Sequence, residues 1–144
     1  MTESFSVPIV VRGYELDVNG HLNWAHYLHY AEHARWECLR AAGLTYQVLA
    51  AAGLGPVNLE ANVKFLRELR DGDEVTVSAA FDWPADPAKK TFRVRQLVTR
   101  ATDGETAAEL TTVSGVIDAH QRRLVGDPAG RLRSLAAVPE VLGL

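Results

Sequence analysis

Tyr14-Glu15-Leu16-Asp17-Val18-Asn19-Gly20-His21-Leu22-Asn23-Trp24-Ala25-His26-Tyr27 begins as a turn-rich run and ends inside a helix. Asn23 is a plausible N-cap, and the residues from about Trp24 to Ala42 carry a helical period. Tyr27, Tyr30, Ala31, Ala34, Cys38, Ala41 and Ala42 fall in one stripe, with His29, Glu32, His33, Trp36 and Arg40 on the other side. Gly43 is placed to stop that helix. One carboxylate, Asp17, therefore sits in a Gly/Asn-rich loop that leads the backbone into a helix N-terminus. Unpaired N–H groups at such a terminus polarise a carbonyl, and a nearby carboxylate attacks it or activates water.

Upstream, Ser6 to Arg12 is short, β-branched and apolar, and reads as a strand with Pro8 at an edge or at its beginning. Downstream, Tyr46 to Ala52 reads as a second, shorter helix ending at Gly53. From Val57 the period becomes two: Val57, Leu59, Ala61, Val63 and Phe65 alternate with Asn58, Glu60, Asn62 and Lys64. Turns at Asp71-Gly72-Asp73, Pro84 to Pro87 and Asp103-Gly104 separate three further strands, Val75 to Trp83, Lys89 to Arg100 and Thr106 to Ala119. The tail beyond Asp127 predicts one weak helix. A strand, a long helix and four antiparallel strands make an α+β order in which a curved sheet supplies the apolar face the helix needs.

The chain has 144 residues, 47% hydrophobic and 23% charged, with a formal net charge of -3. That is the length of a single domain with a proper core, expected to span 1–144. Arg and Lys are dispersed, so no nucleic-acid partner is expected. No apolar stretch approaches the roughly 18 residues of a membrane span. Met1-Thr2-Glu3-Ser4 lacks the features of a signal peptide, and the single Cys38 makes no internal disulfide. A cytoplasmic location is the expectation.

The Asp17–Tyr27 segment resembles the active-site segment of hot-dog-fold acyl-CoA thioesterases of the 4-hydroxybenzoyl-CoA thioesterase type. The likeness covers about Val7 to Ile117, with Asp17 matched through the following Gly20 and Tyr27. It implies a curved antiparallel sheet wrapped around one long helix, and Asp17 as nucleophile or general base on an acyl-CoA or acyl-carrier-protein thioester. It also puts the oxyanion donor near Trp24. The backbones of Gly20, Trp24 and Ala25 are the candidate donors or close-approach points. His21 either serves the leaving sulfur, orients Asp17 or braces the loop. Asn23-Trp24 stands where such relatives carry two asparagines.

Asn19 and Asn23 flank the point of attack. Glu60, with Asn58 and Asn62 on the polar face of the first strand after the helix, is the candidate second acid; a solvated strand face is its plainer reading. Tyr27, Tyr30, Leu59 and Trp24 are candidates for an acyl tunnel. The resemblance implies a homodimer, or a dimer of dimers, with sites between subunits. No metal or redox cofactor is implied, since the substrate itself carries coenzyme A or phosphopantetheine. Arg93, Arg95, Arg100, Arg122 and Arg123 are candidate phosphate contacts, each also readable as a solvated charge.

Two other functions fit the same residues. One is addition of water or another nucleophile to an enoyl thioester, with or without hydrolysis, in polyketide or fatty-acid metabolism. The other is a non-catalytic module that binds acyl thioesters. His26, His29 and His33 with Glu37 read as a polar helix face rather than a metal set, because no HExxH run accompanies them. Cys38 falls in the buried stripe, and Ser114 and Thr112 lack the G-x-S-x-G setting of a serine hydrolase.

Overall fold

A computed structural model describes residues 5–144; Met1 to Ser4, the basis for expecting no signal peptide, lie outside the described residues. The strands are β1 (Phe5–Val10), β2 (Leu54–Phe65), β3 (Glu74–Asp82), β4 (Thr91–Arg100), β5 (Thr106–Asp118) and β6 (Arg123–Leu124). The helices are α1 (Trp24–Ala41), α2 (Tyr46–Ala51) and α3 (Pro128–Leu135). The main strands form one antiparallel sheet in the order β1-β3-β4-β5-β2, with β6 beside β5. This curved sheet closing on α1 is the hot-dog architecture. Pro8 sits in edge strand β1, where its missing donor disturbs one ladder only.

The inner face of the sheet alternates as the sequence does. Val75 and Val77 of β3, Val94 and Val98 of β4, and Ala108, Leu110 and Val116 of β5 are all buried. Helix α1 packs on Val75, Val77, Val98, Ala108 and Leu110 through Tyr27, Tyr30, Ala31 and Ala34, whose two alanines let the helix axis approach the sheet. Its Cys38 and Leu39 share a second cluster with Val94 and Val116. Burial of each such valine or leucine contributes ~1.5–3 kcal/mol. Beyond the helix end, Gly43 adopts φ 86°, and a Cβ there would lie 2.8 Å from the Ala137 Cβ. Only glycine meets both demands, so the tail packs back against Ala42 through the bond from Val138 N to its carbonyl, 3.0 Å.

Strand β2 departs from the simple alternation. Asn58 pairs with Ser114 but Glu60 pairs with Val113, so Leu59 is an extra residue, a β-bulge. Ala61, Val63 and Phe65 oppose the inward Thr112, Leu110 and Ala108, whereas upstream it is Pro56 and Asn58 that oppose the inward Val116 and Ser114. The expected inward set of Val57 and Leu59 is thereby corrected. One inserted residue reverses the faces, because side chains alternate with period two.

Candidate active site

The quoted segment folds as a short loop closed on itself. Leu16 and Leu22 form an isolated antiparallel bridge, and Asp17 N donates to the His21 carbonyl at 2.8 Å. Leu22 N donates to the Leu69 carbonyl at 2.7 Å, tying the loop to the segment after β2. Asp17 Oδ1 accepts from Asn19 N at 2.8 Å and His21 N at 3.3 Å. Among the described residues its Oδ2 has no partner. Asp17 is thus both an Asx-turn residue and a carboxylate with one oxygen to spare.

Asn23 caps α1 as expected, its side chain accepting from Ala25 N at 3.0 Å, while His26 N reaches the Asn23 carbonyl at 2.9 Å. Gly20 N donates to the Asp17 carbonyl at 3.1 Å. Of the three candidate backbone donors, Gly20 and Ala25 are therefore already engaged, and Trp24 N–H alone is unpaired among the described residues. Gly20 is required by its φ of 75° and not by crowding, since a Cβ there would meet nothing within 4 Å.

Asp17, His21, Trp24 and Tyr27 line one open cleft of about 290 Å³, with Phe65 and Leu66 at the end of β2 and Glu68 beyond it. His21 Nε2 lies 2.6 Å from Glu68 Oε2, which makes His21 a brace between the loop and the far wall. Glu68 is held below the usual carboxylate range, first by its bond from Arg70, whose Nε approaches Oε1 to 2.9 Å. The ring of Tyr27 packs edge-on against Phe65 with centroids 5.1 Å apart. Burial, and then the charges of Asp17 and Glu68, push the Tyr27 hydroxyl up to about 12, so it stays a neutral donor.

The other candidates lie elsewhere. Tyr30 is buried away from this cleft with its hydroxyl on Glu15, so it is core rather than a cleft wall. Asn19 is at the exposed loop tip. Leu59, Glu60 and Asn62 are exposed on β2 and outside the residues that line the cleft. Asn58 belongs to a second, narrower pocket, where it accepts a bond from Arg35. Among the described residues no group of His, Cys, Asp and Glu is arranged to hold a metal. Sequence reasoning passes over Glu68, Phe65 and Leu66, which follow the loop by some forty residues and join it only through the fold.

Residues 11–143 match the family model of the thioesterase-like superfamily. The chain belongs to this superfamily. Within it, the chain is 39% identical over 79 residues to the acyl-acyl carrier protein thioesterase ATL3, chloroplastic, of Arabidopsis thaliana, a match covering 55% of this chain and 42% of ATL3. The chain thus spans less than half the length of that plant relative. It is 29% identical over 110 residues to the long-chain acyl-CoA thioesterase FadM of Escherichia coli, covering 76% of this chain and 80% of FadM. The structure of YbaW from Escherichia coli superimposes with a TM-score of 0.79 at 26% identity, over 91% of this chain and 95% of that one. That of Slr0204, a 1,4-dihydroxy-2-naphthoyl-CoA thioesterase from Synechocystis, gives 0.78 at 17% identity over 92% and 96%, a likeness of fold.

Proposed function

We propose that this member of the thioesterase-like superfamily hydrolyses acyl thioesters of coenzyme A or of an acyl carrier protein in the cleft at the start of α1. The observation that carries the reading is the pairing, in one cleft, of a carboxylate with a free oxygen and an unpaired N–H at a helix N-terminus. The thioester carbonyl oxygen accepts from Trp24 N–H, where the helix dipole favours developing negative charge. Asp17 either adds to the carbonyl carbon directly or removes a proton from the water that adds. The tetrahedral intermediate then expels the thiolate, a good leaving group. Where water has added, the free acid remains; where Asp17 has added, a water molecule cleaves the resulting mixed anhydride, releasing the acid and restoring the Asp17 carboxylate. The names of ATL3 and FadM, one acting on carrier-protein and one on CoA thioesters, support this substrate class.

The reading includes a homodimer. Strand β2 is the outer strand of the sheet, twelve residues long and largely exposed, with Leu59 and Phe65 each about half accessible. A long free edge with apolar side chains is a template for pairing, and a second copy offers the same edge. Because Phe65 and Leu66 also wall the cleft, pairing at β2 would narrow it.

Asp17→Asn tests the chemistry cleanly, since an asparagine oxygen can still accept from Asn19 and His21 and preserve the loop. Thiol release from acyl-CoA should fall ~10²–10⁴-fold while acyl-CoA binding is retained. Undiminished thiol release refutes the assignment. Loss of the enoyl absorbance without free thiol would show addition instead.

A further inference from the structure

His21 and Glu68 meet because two segments far apart in the chain are laced together. Leu22 N donates to the Leu69 carbonyl at 2.7 Å, which sets His21 beside Glu68. The backbone of His21 is tied to Asp17 twice: its N–H donates to Asp17 Oδ1 at 3.3 Å, and its carbonyl accepts from Asp17 N at 2.8 Å. From that fixed backbone the imidazole extends until Nε2 lies 2.6 Å from Glu68 Oε2. Glu68 is held as firmly. Arg70 donates to its other oxygen, Oε1, from Nε at 2.9 Å and from Nη2 at 2.5 Å. Arg100 Nη1 donates to the Glu68 carbonyl at 3.1 Å, and Arg100 is itself clamped by both oxygens of Asp103. Arg70 thereby keeps the Glu68 carboxyl ionised and leaves Oε2 to the imidazole.

An ionised carboxylate only accepts, and two bare lone pairs do not rest 2.6 Å apart, so Nε2 carries the hydrogen. Nδ1 has no partner among the described residues and is the nitrogen whose proton can come and go. We propose that Glu68 is a positioning residue for the reaction: it holds His21 through Nε2–H in the cleft that also holds Asp17, and leaves Nδ1–H to protonate the departing sulfur. This rests on the hydrolytic reading above and adds to it the residue that aims the imidazole. As the carbon–sulfur bond breaks, its electron pair passes to sulfur, and sulfur takes the Nδ1 proton of the imidazolium. His21 is left neutral with Nε2–H still facing Glu68, and Nδ1 recovers its proton from solvent. The carboxylate orients the ring and balances its charge; it exchanges no proton itself.

The test compares hexanoyl-CoA with S-phenyl thiohexanoate, which carry the same acyl group. The CoA thiolate is basic enough to gain from a proton as it leaves, whereas thiophenolate departs without one. Thiol release at saturating substrate reads kcat apart from KM. A general acid contributes ~10²–10⁴-fold, so Glu68→Gln should lower the ratio of the two kcat values, CoA ester over phenyl ester, by at least about tenfold. In a His21→Ala background the same substitution should leave that ratio where it was, because Glu68 acts only through His21. An equal loss on both esters, an undiminished ratio, or a further drop in the His21→Ala background overturns the proposal. Thiol release from neither ester by the unaltered protein overturns the hydrolytic reading itself and this proposal with it, which keeps the two failures distinct. Should Glu68→Gln not fold, Glu68→Asp, whose carboxylate falls one methylene short of Nε2, is read by the same ratio.

Discussion

Tyr30 donates its hydroxyl hydrogen to Glu15 Oε1 across 2.6 Å, joining α1 to the 3-10 turn that precedes the Asp17 loop. Glu15 also accepts from Arg12 N at 2.9 Å and Arg12 Nη1 at 3.2 Å, while its carbonyl takes Asn23 N at 2.9 Å. Strand end, loop and helix cap therefore meet at one buried acid. Removing the hydroxyl in Tyr30→Phe leaves that acid short of a bond and should cost ~1.5–3 kcal/mol in urea denaturation, the scale of a bond to a charged group. A midpoint equal to that of the unaltered protein would show that the bond contributes nothing net.

The same pair predicts opposite pH limbs. Burial works to raise the Glu15 pKa, but the bonds from Tyr30 and Arg12 outweigh it and hold the carboxyl below the usual range. Its contribution is therefore present above the unfolded value of about 4.3 and lost as pH falls through the lower folded value. Burial, and then the bond to Glu15, raise the Tyr30 phenol above its ordinary range. Its contribution is present below about pH 10 and lost as pH rises through the folded value. Stability curves for Glu15→Gln should be flatter on the acid side, and those for Tyr30→Phe flatter on the alkaline side.

Asn23→Ala removes the side-chain N-cap of α1 and should cost ~1 kcal/mol, whereas Asn23→Asp should not. Thermal unfolding followed by circular dichroism checks both. The alanine variant also releases Ala25 N–H, so its effect on turnover, measured beside its effect on stability, reports whether a second free donor helps the reaction.

Deleting Leu59 removes the bulge and forces one half of β2 onto the wrong face. The loss should be at least ~2 kcal/mol, the cost of turning out a single buried side chain such as Leu54. Leu59→Ser keeps the residue count and alters an exposed position, so its urea midpoint should scarcely move.

Cys38 is fully buried, and desolvation pushes its thiol up to about 12. A disulfide reagent should not modify it in the native protein at neutral pH, and should modify it once guanidinium unfolds the chain. Rapid native modification would mean that α1 opens locally.

The loop chemistry is legible in the sequence because its causes are local. Asn23 caps the helix that starts beside it, Gly43 ends that helix, and Asp17 gathers amides within four residues of itself. His21 is ambiguous in the sequence for a physical reason: its partner, Glu68, lies forty-seven positions away. Tyr27 and Tyr30 share the helical stripe, and only the neighbours each one meets separate a cleft wall from a buried hydroxyl.

The succession of elements along the chain, the hydrophobic alternation and the helix limits are written into the sequence, since a period of two or of 3.6 depends on residues a few positions apart. The order of strands in the sheet, with β2 beside β5, is not. The bulge at Leu59 has no such signature: alternation continues through it in the sequence, and the extra residue shows only against the register of β5. With that single offset Asn58 stands opposite Ser114, and both accept from Arg35 of α1. Contacts between residues far apart in the chain are chosen by packing, and packing is a property of the assembled sheet and helix.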